Sequence, residues 1–164
     1  MTVTNELLQN NETYAAAFDE GHLPMPPSKE VAVVACMDAR LDVYQILGLE
    51  LGEAHVIRNA GGVVSEDAIR SLVISQRLLG TQEIILVHHT DCGMLTFQDH
   101  EVKDQIASDT GARPHFALEA FPDVEDDIRQ SIVRLKANPF IDNKDQIRGF
   151  VFDVKTGGLK EIAI

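Results

Sequence analysis

The residues of this sequence that can do chemistry concentrate in two short segments, and the first is CMDAR at positions 36–40. Cys36, Asp38 and Arg40 occupy alternate positions, so their side chains would share one face of an extended chain. A cysteine thiolate is a metal ligand, and a carboxylate can also bind a metal. A guanidinium can hold such a carboxylate in a two-pronged pair. The segment therefore offers one metal ligand together with a carboxylate whose position can be controlled.

The second segment is HHTDCG at positions 88–93, in which His89 and Cys92 lie three residues apart. Zinc favours thiolate and imidazole ligands, and three protein ligands with a fourth position open to water form a catalytic zinc site. Cys36, His89 and Cys92 could supply such a set. Each part alone is a weak signal, because a buried cysteine is more often a core residue and the His-x-x-Cys spacing recurs by chance.

Both segments follow predicted buried strands. The runs VAVVAC (31–36) and EIILVH (83–88) are typical of strands buried on both faces. Further strands are predicted at 54–58 and 147–154, and helices at 5–18, 41–48, 64–79, 94–107 and 122–136. This alternation predicts an α/β fold with a mainly parallel central β-sheet flanked by helices. Ligands of such sheets bind beyond the carboxyl ends of the strands, where both segments lie.

Length and composition limit the organisation and partners of the chain. The 164 residues fit one domain spanning 1–164, in which residues 1–28 supply an N-terminal helix and a proline-rich connector. A net charge of −12 argues against binding to nucleic acid and to anionic membranes. The polar, acidic start of the sequence is not that expected of a signal peptide, and no apolar run approaches the roughly 20 residues of a membrane span. A cytoplasmic location is expected, in which the two cysteines stay reduced.

Three segments together resemble the β-class carbonic anhydrases: CMDAR (36–40), RNAGG (58–62) and HHTDCG (88–93). The resemblance is to the short, minimal branch of that family and implies its fold. It also implies the reversible hydration of carbon dioxide to bicarbonate and a proton by zinc-bound hydroxide. The family further implies a homodimer or higher homo-oligomer, in which the N-terminal helix and connector could wrap a neighbouring subunit.

The same resemblance assigns roles to individual residues. It implies Zn²⁺ held by Cys36, His89 and Cys92, and it makes Asp38 and Arg40 a catalytic dyad. Asp38 would orient the attacking oxygen, or would bind zinc as a fourth ligand in a closed state. Arg40 would hold the carboxylate away from the metal.

Several alternatives stay open at the level of sequence. His88 competes with His89 as a ligand, although His89 completes the spacing with Cys92. The same site could hydrolyse carbonyl sulfide or carbon disulfide, as relatives in this family do. A non-catalytic zinc-binding or sensor domain is the third interpretation, with Asp38 as the closing ligand. His88 could instead be packed or aid proton transfer, and no histidine is assigned as the proton shuttle.

Overall fold

The fold is described from a computed structural model, which covers residues 2–164. Its strands are β1 (Val31–Cys36), β2 (Ala54–Asn59), β3 (Glu83–His89), β4 (Ile147–Phe152) and β5 (Leu159–Glu161). Its helices are α1 (Val3–Ala17), α2 (Val43–Leu47), α3 (Glu66–Leu79), α4 (Asp99–Thr110) and α5 (Val124–Ala137). Two short 3₁₀ turns, Ala60–Gly62 and Gly93–Leu95, follow β2 and β3.

The strands form one sheet in the order β2-β1-β3-β4-β5. The pairs β1–β2, β1–β3 and β3–β4 are parallel, whereas β5 runs antiparallel to β4. This mostly parallel sheet with flanking helices confirms the predicted fold class. Because β1 and β3 are parallel neighbours, their carboxyl ends lie side by side, and both candidate segments begin there.

Two hydrophobic layers cover the two faces of the sheet. All six residues of β1 are buried, as its continuous apolar run predicts. On one face Val34 packs with Leu72 of α3 and Ile132 of α5. On the other face Val33 packs with residues of the loops between elements, among them Leu41 after β1 and Phe121 before α5. The second layer therefore also surrounds the candidate site.

Some predicted boundaries differ from the observed ones. The helix predicted at 94–107 spans Asp99–Thr110, because a separate 3₁₀ turn occupies Gly93–Leu95. The Asp99 carboxylate accepts hydrogen bonds from the backbone N–H groups of residues 118–120 and ties that loop to the helix start. The strand predicted at 147–154 ends at Phe152, where a turn joins Asp153 to Gly157. An additional strand, β5, lies beyond the last predicted strand, and its three exposed residues carry no apolar pattern.

The N-terminal helix α1 has no buried residue. Thr2 caps it by accepting a hydrogen bond from the N–H of Asn5. Val3 and Leu7 expose 72% and 60% of their surface, values typical of polar rather than apolar side chains. Across residues 2–164, no helix has the length and apolar character needed to cross a membrane.

Candidate metal centre

Three of the predicted site residues meet where β1 and β3 end. Cys36 is the last residue of β1, His89 is the last residue of β3, and Cys92 follows on the next turn. Their sulfur and nitrogen ligand atoms all lie within 4.8 Å of one another, and all three residues are buried. Two thiols and one imidazole in this arrangement form a compact donor set of the kind that zinc favours.

The imidazole of His89 is oriented for metal binding. Its Nδ1 lies 2.8 Å from the carbonyl oxygen of Thr90, to which it can donate a hydrogen bond. Its Nε2 is buried and has no hydrogen-bond partner among residues 2–164. A buried polar atom without a partner is uncommon and costly. With the proton on Nδ1, the lone pair of Nε2 is free, and the residues present therefore fit a metal ion.

The two thiols interact strongly. The pKa of Cys36 is lowered to about 4, chiefly because Cys92 donates a hydrogen bond to its thiolate. The same interaction, together with burial, raises the pKa of Cys92. Backbone N–H groups of Asp38 and Gly61 add further hydrogen bonds to the Cys36 sulfur. The pair thus carries one negative charge and one proton, and a cation would relieve the repulsion that keeps the second thiol protonated.

A close backbone approach brings the RNAGG segment to the cluster. Gly62 has φ +71°, and a Cβ atom there would lie 2.8 Å from the backbone nitrogen of Cys36. Only glycine fits both this conformation and this distance. Gly61, which donates to Cys36, is thereby held beside the thiolate.

Asp38 and Arg40 form a two-pronged pair at the mouth of the cluster. Arg40 Nε and Nη2 lie 2.9 and 2.8 Å from the two carboxylate oxygens of Asp38. These contacts hold the pKa of Asp38 well below its usual value. Asp38 Oδ2 is also 3.7 Å from His89 Nε2, which brings the carboxylate next to the donor set. The segment reaches this geometry through a turn, in which the backbone N–H of Leu41 donates a hydrogen bond to the carbonyl oxygen of Asp38. The extended conformation on which the sequence argument relied is therefore wrong for this segment.

Arg58 is a contributor that the sequence does not reveal. Its Nε and Nη2 donate to the carbonyl oxygen of Cys36 at 3.0 and 2.9 Å, and Nη2 also donates to that of Asp38 at 2.7 Å. The side chain thus fixes the backbone on both sides of Met37. Arg58 belongs to the RNAGG segment of the family resemblance, but its position in the sequence does not indicate which carbonyl groups it binds.

His88 occupies a different environment from His89. It is fully buried, its Nε2 lies 2.7 Å from Asp127 Oδ2, and its ring stacks on Phe121 at 5.5 Å. It is not part of the group of mutually close ligand atoms. These contacts attach α5 to β3 and give His88 a packing environment.

The cluster opens into a cavity of about 370 Å³. Its lining includes the carboxylate-bearing Asp38 and apolar side chains such as Met94 and Phe97. A larger cavity of about 790 Å³ lies beside the start of α4 and contains none of the clustered ligands. The smaller cavity is lined by all three clustered ligand residues and therefore gives access to them.

Comparisons with known proteins point in one direction. The carbonic anhydrase family model matches residues 31–116. The chain is 62% identical over 162 residues to β-carbonic anhydrase 1 of Mycobacterium tuberculosis, covering 99% of both chains. It is 34% identical over 157 residues to a carbon disulfide hydrolase of Acidithiobacillus thiooxidans, covering 83% of this chain and 78% of that one. The crystal structure of a carbonic anhydrase from Streptococcus mutans matches with a TM-score of 0.93, at 42% identity and 99% coverage of each chain.

Proposed function

The chain belongs to the β-class carbonic anhydrase family, and on this premise we propose that it catalyses the reversible hydration of carbon dioxide to bicarbonate and a proton. The observation that carries the proposal is the buried cluster of Cys36, His89 and Cys92 beneath a small cavity. The higher identity to a β-carbonic anhydrase than to a carbon disulfide hydrolase supports carbon dioxide as the substrate.

We assign Zn²⁺ as the resident ion, with Cys36, His89 and Cys92 as its ligands. The free lone pair of His89 Nε2 and the two adjacent sulfur atoms support this assignment. When bound, zinc would supply a Lewis acid that lowers the pKa of a bound water molecule towards about 7. Two thiolates offset the charge of the ion, so neighbouring residues must contribute to activation.

Asp38 is proposed to orient the attacking water. Its carboxylate stays ionised because Arg40 binds both of its oxygens, and it borders the cavity. It can accept a hydrogen bond from a water molecule there and direct an oxygen lone pair at the substrate carbon. The guanidinium also keeps the carboxylate from becoming a fourth ligand, since both of its oxygens are engaged.

The apolar side chains that line the cavity, here called the apolar wall, are proposed to hold the substrate. Carbon dioxide has no net dipole, and Met94 and Phe97 offer it a surface on which no polar group loses hydrogen bonds. Bicarbonate, as an anion, is better solvated by water than by this wall. The wall therefore favours binding of carbon dioxide and release of bicarbonate.

A substrate panel tests the proposed reaction. Zinc-loaded protein should hydrate carbon dioxide in a stopped-flow assay and should act on carbonyl sulfide and carbon disulfide far more slowly. Faster turnover of either sulfur compound would replace the proposal by the related hydrolase activity. Bound zinc with no turnover of any of the three would favour a non-catalytic zinc-binding or sensor domain.

We further propose that residues 1–164 act as one zinc-dependent domain and assemble as a homodimer through the segment preceding β1. The exposed apolar side chains of α1 support this, because an isolated helix of its length is marginal in water without packing. A cytoplasmic location is proposed as well. Two thiols acting as metal ligands are compatible with a reducing compartment, and cell fractionation with a zinc assay tests it.

A further inference from the structure

Arg40 is held by two carboxylates that come from different metal-binding segments. Besides its pair with Asp38, its Nη1 lies 2.8 Å from Asp91 Oδ2, and its Nη2 lies 3.0 Å from the Asp91 carbonyl oxygen. Asp91 stands between His89 and Cys92 in the sequence. A single guanidinium therefore joins the CMDAR segment to the turn that carries the other two ligands.

The backbone of Asp91 shows that the structure maintains this contact at a cost. Its φ is +56°, in the left-handed region that side-chain-bearing residues rarely adopt. Aspartate and asparagine enter this region more readily than other non-glycine residues. The conformation places the carbonyl and the carboxylate of Asp91 on the same guanidinium, which no neighbouring residue of the turn does.

We infer that Asp91 is a positioning residue, which fixes Arg40 so that Asp38 stays out of the metal coordination sphere. If Arg40 were bound only by Asp38, its guanidinium could move together with that carboxylate. Because Asp91 also binds the guanidinium, its position is fixed independently of Asp38. Asp38 Oδ2 already lies 3.7 Å from His89 Nε2, so a small displacement would bring it to a metal bound there. The inference rests on the proposed function, since it assumes a metal held by the three ligands.

The test uses Asp91→Gly, which removes the carboxylate and leaves the left-handed backbone unstrained. Visible absorption of the cobalt(II)-substituted protein reports whether a carboxylate has joined the metal. We expect the spectrum of Asp91→Gly to shift towards that of Arg40→Ala, and kcat for carbon dioxide to fall about two- to fivefold, the effect of losing one exposed ion pair. Asp91→Asn, which retains an acceptor atom and the backbone preference, should shift the spectrum less.

The shift must depend on Asp38. When Asp38→Asn is combined with Asp91→Gly, we expect the spectrum to match that of Asp38→Asn alone, because position 38 then has no carboxylate that could bind the metal. Asp67→Asn is the matched control: this carboxylate is equally exposed and pairs with Arg70 away from the site, so its variant should leave spectrum and kcat unchanged. An unshifted Asp91→Gly spectrum with normal turnover, or a shift that persists without the Asp38 carboxylate, would overturn the inference. Failure to bind cobalt would instead contradict the proposed function.

Discussion

Cys36 and Cys92 are the same residue type, yet their environments shift their pKa values in opposite directions. The pKa of Cys36 falls because it receives hydrogen bonds, and the pKa of Cys92 rises because it gives one and is buried beside a charge. At neutral pH the metal-free pair therefore holds one proton. The sequence could predict both as ligands, but this division depends on which sulfur the N–H groups of Asp38 and Gly61 reach.

This division predicts a proton release on zinc binding. Because zinc must displace the proton of Cys92, we expect binding near pH 7 to liberate at least one proton and the affinity to increase as the pH rises. Calorimetry in buffers of different ionisation enthalpy measures the number released. An affinity that does not change between about pH 6 and 8 would show that Cys92 is already ionised in the metal-free protein.

A second prediction at the scale of residues concerns Asp38→Asn. The variant keeps all three ligands, so zinc content should remain at the wild-type level, whereas kcat should fall by about 100-fold or more, because the negative charge is lost and one of the two acceptor oxygens becomes an NH₂ group that cannot accept a hydrogen bond from water. Stopped-flow hydration and metal analysis of one sample give both values. Asp104→Asn, which loses an exposed carboxylate paired with Arg113, is the control. Unchanged turnover in Asp38→Asn would remove Asp38 from the mechanism.

Strands and helices could be predicted where their burial or their ends leave a pattern of residue types in the sequence. The run at 31–36 and the end of α3 at Gly80 are examples, since continuous apolar residues and a glycine stop have direct physical causes. The predicted convergence of the segments after β1 and β3 likewise follows from parallel pairing. Strand β5 could not be predicted, because it depends on pairing with β4 rather than on its own residues.

Side-chain contacts between segments that are distant in the sequence could not be predicted from residue patterns. Arg58 reaches the carbonyl of Cys36 across 22 positions, and Arg40 reaches Asp91 across 51. Neither contact leaves a periodicity or a local spacing. They become visible only when β1, β2 and β3 are placed side by side. The sequence therefore did not predict the contacts of Arg58 and Asp91 that support the site.

At the scale of elements, Gly62 sets how closely the turn after β2 approaches β1. Gly62→Ala should lower the free energy of unfolding of the metal-free protein by about 2–5 kcal/mol, from the left-handed conformation and from overpacking against the backbone of β1. Zinc occupancy should fall with it, because Cys36 must shift. Urea denaturation and metal analysis provide the measurements.

Gly80→Ala separates the two causes. Gly80 has φ +77° but no atom within 4 Å of an added Cβ, so only the conformational cost of about 1–2 kcal/mol applies. Equal destabilisation by the two substitutions would show that the close approach of Gly62 to β1 contributes nothing.

For the molecule as a whole, α1 is an element in which no residue is buried, although it carries several large apolar side chains. Val3, Leu7 and Tyr14 repeat at helical spacing on one side, and Tyr14 contacts Phe18 with ring centroids 5.5 Å apart. A net charge of −12 disfavours unspecific association of copies, so any stable dimer must rest on defined apolar contacts of this kind.

We therefore expect Leu7→Glu to convert a dimer into a monomer. Gln9→Glu adds the same charge to the opposite side of α1 and should leave the mass unchanged. Sedimentation equilibrium of the full chain distinguishes the two outcomes. A Leu7→Glu variant with the wild-type mass would place the subunit contact elsewhere.

The most direct test of the central claim measures zinc content and carbon dioxide hydration in the same preparations of wild-type protein and Cys36→Ser. We expect one zinc per wild-type chain with turnover proportional to the zinc content, and neither bound zinc nor turnover in Cys36→Ser. Full hydration activity in Cys36→Ser without metal would contradict the account, as would a wild-type protein that holds zinc and hydrates no carbon dioxide.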